Sequence, residues 1–365
     1  MTRTAEVAGA GFAGLTVATE LARRGWRVRV HEAGPRPRAF GAGIFLWTNG
    51  LRVLTELGVV EWVLARSYEA SQWEERDSDD NELGIRPLPL PGGLRMVTMT
   101  RRTLHTALLT AAEAAGVEIR TGSRVVAAEP GGVLVTEDGA RWPADLAVGA
   151  DGIRSRVRDS LGLLAGHELF PYGMYRFLVP LARVPEFRGR WRNYLNFLDA
   201  GLRRRVLYVP CDERELYLLL GAVHTDEALR QPLDPAVWCE TFPVLRPLLA
   251  ELPPAPRYDR YEVLRLERWS VGRVAVVGDA AHAMPPTLGQ GAGTAVMNAL
   301  RLARAVADAR DVPVALRNWE SDNRPATELV QAESVIGVRE LFPRDGERRD
   351  KWPEGAVHAA GRDLV

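Results

Sequence analysis

The stretch from Gly272 to Ala299 constrains the fold of this chain more than any other, because it combines a strand, a glycine-rich loop and a helix start. It reads GRVAVVGDAAHAMPPTLGQGAGTAVMNA. The apolar run at its beginning, with β-branched residues, predicts a strand covered on both faces. Gly278 and Asp279 end that strand, and glycines at alternate positions precede the helix. Since glycine lets backbone N–H groups at a helix start approach a negatively charged group, we expect a ligand here.

The N-terminal segment carries a second ligand-binding pattern. Gly9, Gly11 and Gly14 form a G-x-G-x-x-G turn between an apolar strand and an amphipathic helix. The first glycine permits a tight turn, the second lets a pyrophosphate approach the backbone, and the third lets the helix pack on the strand. A second strand ends at Glu32, whose carboxylate can accept hydrogen bonds from the hydroxyls of an adenosine ribose. This acid favours an unphosphorylated ribose, as in FAD or NAD.

The sequence GDAAHAMPPTLGQGAG resembles the second FAD-binding motif of the single-component flavoprotein aromatic hydroxylases, the para-hydroxybenzoate hydroxylase family. The resemblance selects FAD for the first glycine motif and implies that Asp279 hydrogen-bonds the ribityl chain. It also implies that the carbonyl of Pro286 orients the substrate. The cofactor-binding residues implied here are Gly278, Asp279, Gly289, Gly291 and Ala292. His282 is interpreted as a structural hydrogen bonder, with proton transfer as the alternative.

Two further motifs follow the order found in that family. Arg101 opens an amphipathic helix, and the resemblance implies that it contacts the FAD phosphates or ring edge, with Arg102 as the alternative. The sequence DGIRSRVR resembles the DG motif of the family. It implies that Asp151, Gly152 and Arg158 lie near the FAD pyrophosphate and the nicotinamide. The alternative is an ordinary helix N-cap by Asp151 or Ser155, with Arg158 in an ion pair with a nearby acid.

Strands rich in aromatic residues, from about position 167 to position 268, predict a sheet that faces the substrate. Because alternation sends neighbouring side chains to opposite faces, each aromatic residue belongs either to the pocket or to the core. A segment after Gly41 resembles the turn that passes beside the flavin ring in the family. The candidates for the pocket wall are Phe45, Trp47, Asn196, Tyr208 and Tyr217, with core packing as the alternative.

The resulting fold class is α/β, with a Rossmann-like FAD-binding domain interleaved with a mostly antiparallel β-sheet substrate domain. We expect the discontinuous FAD-binding domain to comprise residues 1–68, 95–166 and 268–315. The sheet domain is expected over residues 69–94 and 167–267. A C-terminal helix is expected over residues 316–343, followed by a charged, mobile tail over residues 344–365.

Composition limits the partners and the location of the protein. The 365 residues include 47 basic and 47 acidic side chains, so no basic surplus exists to neutralise nucleic-acid phosphates. Cys211 and Cys239 lack metal-type spacing, so no metal site is expected. No apolar run is long enough to span a membrane, and the N-terminal segment is unlike a signal peptide. We therefore expect a cytoplasmic protein, as a monomer or a homodimer.

The resemblance implies the activity of a monooxygenase. In this family NADH or NADPH binds transiently and reduces FAD, dioxygen adds to the reduced flavin, and the hydroperoxide hydroxylates a small, phenol-like aromatic substrate. Cofactor motifs do not fix the reaction type. A flavin epoxidase, a Baeyer–Villiger oxygenase or a reductase on the same scaffold therefore stay open as alternatives, as does a flavin-bound protein without turnover.

Overall fold

The computed structural model describes residues 2–37, 41–187, 189, 191–254, 256–342, 347–348 and 350–363. Its strands are β1 Thr4–Ala8, β2 Arg27–His31, β3 Gly43–Trp47, β4 Gln72–Asp77, β5 Glu82–Pro87, β6 Met96–Thr100, β7 Glu118–Arg120, β8 Val125–Glu129, β9 Val133–Thr136, β10 Arg141–Pro143, β11 Leu146–Gly149, β12 Leu164–Pro180, β13 Tyr194–Asp199, β14 Arg204–Pro210, β15 Glu215–Val223, β16 Arg257–Leu266, β17 Ser270–Val271 and β18 Val274–Val276.

The helices pack against these strands or against one another. They are α1 Phe12–Arg23, α2 Thr48–Glu56, α3 Val60–Leu64, α4 Arg101–Ala114, α5 Arg156–Ser160, α6 Pro235–Thr241, α7 Arg246–Leu249, α8 Asp279–His282, α9 Gly291–Ala307, α10 Val312–Arg339 and α11 Glu354–Gly361. Within the described ranges, no helix is long and apolar enough to cross a membrane.

A six-stranded sheet forms the nucleotide-binding part, in the order β17-β18-β11-β1-β2-β7. All its pairs are parallel except β17 with β18. Val7, Val148 and Val276 on its central strands have no solvent exposure. Strands covered on both faces need apolar side chains in both directions, which explains the short apolar runs of the sequence.

A seven-stranded sheet forms the second part, in the order β16-β12-β15-β14-β13-β4-β5. Its pairs are antiparallel apart from β13 with β4. Alternation along β14 places Val206 and Tyr208 in an outer core with helices α6 and α7. Leu207 and Val209 belong to an inner core with strands β3 and β6 and helix α10. The inner face is therefore the one that faces the nucleotide-binding part.

The predicted α/β class, with a mostly antiparallel sheet interleaved with a Rossmann-like part, is confirmed. Strands β4 and β5 join the seven-stranded sheet before the chain returns to add β7 and β11 to the parallel one. The interleaving arises because both sheets take strands from separate parts of the chain. The residue ranges assigned to the two domains stay predictions.

The C-terminal part differs from the expected mobile tail. Helix α10 begins earlier than predicted, at Val312, and continues through Pro325. Among the described residues after position 343, helix α11 buries Ala356, Ala359 and Ala360. The charged composition of the segment concealed this alanine stripe, because small residues spaced three and four apart form a face that packs closely.

Candidate active site

Three of the sequence motifs meet at one edge of the parallel sheet. Gly9 follows β1, Asp151 follows β11, and Gly278 precedes Asp279 just after β18. These strands are neighbours, and they run in the same direction. In open α/β sheets, ligands bind outside the carboxyl ends of the strands. The topology therefore brings together motifs that lie far apart in the sequence.

The glycine turn after β1 is shaped by backbone contacts. Gly9 has φ of 99°, a conformation that L side chains rarely adopt. A Cβ atom at Gly14 would lie 2.0 Å from the carbonyl oxygen of Gly9, so helix α1 could not pack as closely on this turn. For a Cβ atom added at Gly11, the nearest atom would be the carbonyl oxygen of Ala150, at 4.0 Å. The backbone of Gly11 thus faces open space.

Glu32 lies beside this turn with its carboxylate oriented by the backbone. Its Oε2 accepts a hydrogen bond from the N–H of Ala10 at 3.1 Å, and its Oε1 accepts one from the N–H of Gly34 at 2.8 Å. A carboxylate oxygen can accept more than one hydrogen bond, so the remaining lone pairs can serve a ligand.

A cavity of about 380 Å³ opens between the motif loops and the inner face of the seven-stranded sheet. The predicted site residues that line it are Gly11, Phe45, Arg101, Gly152, Tyr217, Gly278, Asp279, Pro286, Gly289, Gly291 and Ala292. Those that do not line it are Gly9, Gly14, Glu32, Trp47, Asp151, Arg158, Asn196 and Tyr208. The structure therefore brings most of the candidates from three motifs to one cavity.

The two arginines at the start of α4 have different surroundings. Arg101 faces the cavity, with its guanidinium carbon 4.8 Å from the ring centroid of Phe12. Burial and the nearby charge of Arg176 together lower the pKa of Arg101 to about 10, so the side chain still carries its charge at neutral pH. Arg102 is largely exposed and pairs with Glu215 at 2.9 Å. Of the two alternatives, Arg101 is the one at the cavity.

Asp279 presents its carboxylate to the cavity, where solvent reaches it. The surrounding protein nevertheless restricts its hydration, and this desolvation raises the pKa of the Asp279 carboxyl above its ordinary value. Arg101 and Arg176 act in the opposite direction. An acceptor with a cationic neighbour is suited to bind the hydroxyl groups of a ligand.

The DG motif forms a helix cap. Asp151 Oδ2 accepts hydrogen bonds from the N–H groups of Arg156 and Val157 at 2.7 and 3.2 Å, and Ser155 Oγ accepts one from Arg158 at 3.0 Å. The guanidinium of Arg158 donates to Asp159 and to the carbonyl of Ile153. These contacts match the alternative interpretation of Asp151 and Arg158. Gly152 is the member of this motif that lines the cavity.

Residues 283–291 are here called the flavin loop, after the FAD-binding motif that their sequence resembles, and hydrogen bonds with Trp47 and with helix α10 hold this loop in place. The indole N–H of Trp47 donates to the carbonyl of Leu288 at 3.1 Å. Thr287 Oγ1 donates to the carbonyl of Ser334 in α10 at 2.7 Å, and the Gln331 amide donates to the carbonyl of Ala283 at 3.0 Å. Trp47 therefore supports the loop rather than lining the cavity.

His282 has the surroundings of a structural residue. It is buried against the ring of Trp269, with a centroid distance of 5.3 Å. Asn298 Nδ2 lies 3.2 Å from His282 Nε2, and since an amide NH₂ can only donate, this ring nitrogen accepts. Burial lowers the pKa of His282 to about 4, so the ring is neutral at physiological pH. The geometry favours the structural interpretation.

The wall formed by the seven-stranded sheet includes residues that the sequence analysis did not identify. Arg205, Leu207, Leu219 and Tyr261 line the cavity beside Tyr217. Arg205 Nη1 donates to the Tyr261 hydroxyl at 3.4 Å, and its Nε is buried without a hydrogen-bond partner among the described residues. Alternation on β14 is the signal that could have found Arg205, once one residue of that strand was known to face inward.

Two of the pocket candidates lie elsewhere. Tyr208 is on the outer face of the sheet, where its ring meets Trp191 at a centroid distance of 5.4 Å. Asn196 is buried and does not line the cavity. The parity of β14 explains the first case, because Tyr208 and Leu207 point in opposite directions.

Comparison with known proteins shows which family has this arrangement. The family described as FAD binding domain matches residues 1–328. The chain is 44% identical over 334 residues to 2-heptyl-3-hydroxy-4(1H)-quinolone synthase of Mycobacteroides abscessus, covering 90% of this chain and 88% of that protein. It is 33% identical over 351 residues to 3-amino-4-hydroxybenzoate 2-monooxygenase of Streptomyces cremeus, covering 93% and 88%.

A solved structure extends the similarity to the whole fold. The tetrameric form of 2-methyl-3-hydroxypyridine-5-carboxylic acid oxygenase superimposes with a TM-score of 0.91 at 42% identity, covering 100% of this chain and 97% of that chain. The resemblance seen in the motifs, FAD as the cofactor and the monooxygenase class are confirmed. The chain belongs to the FAD binding domain family and is an FAD-dependent aromatic monooxygenase of the para-hydroxybenzoate hydroxylase type.

Proposed function

We propose that this monooxygenase hydroxylates a small aromatic substrate that carries an acidic group, with NADH or NADPH as the electron donor. When bound, FAD supplies the transfer of two electrons from the nicotinamide to dioxygen, so that one oxygen atom enters the ring and the other leaves as water. The residues of this chain bind and orient the reactants and exclude water from the cavity. The single observation that supports an acidic group on the substrate is the environment of Arg205.

The residues at the cavity fit FAD. Gly152 and Gly291 have no atom within 4 Å of the position of an added Cβ, so a ligand can approach their backbone closely. Gly291 also begins helix α9, whose N-terminal N–H groups favour a negatively charged ring edge. Asp279 would accept hydrogen bonds from the ribityl hydroxyls, and Arg101 would meet the phosphates or the ring edge.

Replacing Asp279 with alanine is expected to raise the dissociation constant for FAD about 10- to 100-fold, because a charge-assisted hydrogen bond contributes about 1.5–3 kcal/mol. Protonation removes the charge of this acceptor, and the raised pKa means that the proton binds at a higher pH than for an ordinary aspartate. The FAD affinity of the wild type should therefore fall as the pH is lowered, whereas the FAD affinity of Asp279→Asn should not change with pH. Titration of apoprotein with FAD across the acidic range measures both effects, and parallel pH profiles would contradict this role.

Arg205 provides a positive charge at the substrate side of the cavity. The residue is 6% exposed, and its stem packs against Gly221. In the part of the chain that the structure describes, Arg205 pairs with no carboxylate. A buried charge without a counter-ion is costly, so the site is stabilised when an anion binds there. A carboxylate on an aromatic ring can accept two parallel hydrogen bonds from the fork of a guanidinium.

The other polar groups of the cavity suit a ring hydroxyl. Burial raises the pKa of Tyr217 to about 12, so its phenol stays protonated at neutral pH and can donate a hydrogen bond. The carbonyl of Pro286 accepts a hydrogen bond from the N–H of Gly289 at 3.2 Å. With its second lone pair it would accept a hydrogen bond from a substrate hydroxyl and so make the ring a better nucleophile. Apolar contacts to the ring are available from Phe45 and Met284.

The relatives support an acidic substrate without requiring it. The names of the Streptomyces cremeus enzyme and of the pyridine oxygenase both describe an aromatic ring with a carboxylate and a hydroxyl group. The name of the Mycobacteroides abscessus enzyme describes a quinolone with an alkyl chain. A substrate panel must therefore contain both kinds of compound.

The test is substrate-stimulated oxidation of NADH and NADPH over hydroxybenzoates, hydroxypyridine carboxylates, the matching phenols without a carboxylate, and 2-alkyl-4-quinolones. We expect the carboxylates to give the highest kcat/KM, with nicotinamide and dioxygen consumed together. With ¹⁸O-labelled dioxygen, the product should contain one labelled atom. A product whose oxygen comes from water, or full turnover without dioxygen, would refute the proposal, and a preference for quinolones would refute the acidic substrate alone.

A further inference from the structure

Two buried side-chain amides connect the flavin loop to the C-terminal helix. Asn49 Nδ2 donates to Gln290 Oε1 and to the carbonyl of Ala359, both at 3.0 Å. Gln290 Nε2 donates to the carbonyl of Ala356 at 3.3 Å. Asn49 is 0% exposed and Gln290 is 1% exposed. The side-chain amides of Asn49 and Gln290 and the carbonyls of Ala356 and Ala359 are here called the amide bridge, which joins α2, the flavin loop and α11.

The amide bridge holds the flavin loop between two residues that line the cavity. Gln290 lies between Gly289 and Gly291, and both glycines line the cavity. A Cβ atom at Gly293 would lie 2.6 Å from Asn49 Oδ1, so the Asn49 side chain sits directly against the first turn of α9. The bridge therefore contacts the backbone on both sides of Gly291.

Helix α11 is held in place by contacts that do not involve the flavin loop. Arg52 Nη1 donates to the carbonyls of Gly361 and Arg362 at 3.2 and 2.8 Å. The segment before the helix is anchored by Trp352, whose indole N–H donates to the carbonyl of Pro87 at 3.1 Å. Its ring packs edge-on against Trp47 at a centroid distance of 5.5 Å. Since Trp47 also supports the loop, the contacts that fix α11 without the loop are those of Arg52 and of the Pro87 carbonyl.

The burial of both amides couples the loop to α11. A buried donor that loses its partner keeps the full cost of desolvation, so neither amide can leave its carbonyl without a penalty. Thr287 holds the middle of the loop on α10, and the amide bridge holds its end. As a result, the backbone N–H groups at the start of α9 keep one orientation before any ligand binds.

We propose that Asn49 and Gln290 are positioning residues, through which the docked C-terminal helix α11 preorganises the N–H groups of Gly291 and Ala292 for the flavin. The proposal rests on the cofactor role proposed above for these N–H groups. Preorganisation lowers the cost of ordering the site upon binding. The end of the chain thereby contributes to flavin binding without any direct contact with the flavin.

The test uses the full-length variant Gln290→Met, which keeps the side-chain volume and removes both hydrogen bonds of the amide. In the apoprotein, we expect faster amide hydrogen exchange in the peptide that contains residues 289–294. In the FAD titration, we expect the dissociation constant to rise about 10-fold, the effect of losing one or two buried hydrogen bonds. The visible circular dichroism of the bound flavin should also change, because the ring edge is held less tightly.

Asn323→Leu is the matched control. Asn323 is a buried amide in α10 that donates to the carbonyl of Trp319 at 2.7 Å and accepts from Arg301 at 2.8 Å, and neither partner belongs to the flavin loop. Its loss should lower Tm without changing the FAD affinity or the exchange of residues 289–294. A second variant, Ala360→Glu, places a charge in the buried face of α11 and should undock the helix. The effects of Gln290→Met and Ala360→Glu on FAD affinity should be non-additive, since both break the same bridge.

The outcomes separate this proposal from the cofactor role of the loop. Unchanged exchange of residues 289–294 in Gln290→Met, or additive effects in the double variant, would overturn the positioning role. Faster exchange with unchanged FAD affinity would show that the bridge orders the loop but that the loop does not hold the flavin. That result would refute the cofactor role proposed for Gly291 and Ala292. It would therefore also refute the proposal that the amide bridge preorganises their N–H groups for the flavin.

Discussion

Replacing Gly11 with valine is expected to give a folded protein that binds FAD roughly 100-fold more weakly, or not at all. The backbone of Gly11 has φ of −80° and ψ of −177°, an extended conformation that valine adopts without strain. The space at the position of an added Cβ is open, since the nearest atom there is the carbonyl oxygen of Ala150 at 4.0 Å. The added side chain would occupy the region through which a pyrophosphate approaches the backbone. Overpacking of this kind costs about 3 kcal/mol at its upper range.

The measurement compares the Tm of the apoprotein with the flavin content of the purified enzyme. For Gly11→Val, the Tm of the apoprotein should stay close to that of the wild type, while the flavin content falls. Gly14→Ala is the contrasting variant, because its Cβ would lie 2.0 Å from the Gly9 carbonyl oxygen and the fold itself should be destabilised. Wild-type flavin content in Gly11→Val would show that the pyrophosphate does not approach this turn.

The motif loops on one side of the cavity could be predicted from the sequence because their determinants are local. A glycine that avoids a backbone collision, such as Gly14, needs only its own turn to explain it. The same holds for Gly278, whose φ of 64° marks the end of its strand. The order of the parallel strands then brings these turns together. Short motifs were therefore enough to identify this part of the site.

The side of the cavity formed by the seven-stranded sheet could not be predicted in the same way, because it depends on which face of each strand points inward. Tyr208 and Arg205 lie on the same strand at positions of opposite parity, and only the packing of the sheet decides between them. The sequence analysis selected aromatic residues, and so it named Tyr208 rather than Arg205. It also treated the C-terminal segment as a tail, since the alanines of α11 show their role only against Asn49 and Gln290.

Replacing Arg205 with glutamine is expected to lower kcat/KM for an acidic aromatic substrate roughly 30- to 5000-fold. Truncating one partner of a buried, hydrogen-bonded charge pair costs about 2–5 kcal/mol, because the other charge remains buried without its partner. For the matching phenol without a carboxylate, the same variant should retain most of the wild-type kcat/KM. Arg205→Lys should recover part of the activity, since the ammonium keeps the charge but not the paired geometry.

The neighbouring Arg204 provides the control, because it projects from the other face of β14. Its guanidinium pairs with Asp226 at 2.8 Å, away from the cavity. Arg204→Gln breaks a largely buried ion pair, so Tm should fall while kcat/KM for the acidic substrate stays near the wild-type value. Initial rates for the acidic and neutral substrates, measured with all four proteins, give the ratio that decides the question. If Arg205→Gln lowers both rates equally, Arg205 supports the fold of the cavity and does not bind the acidic group.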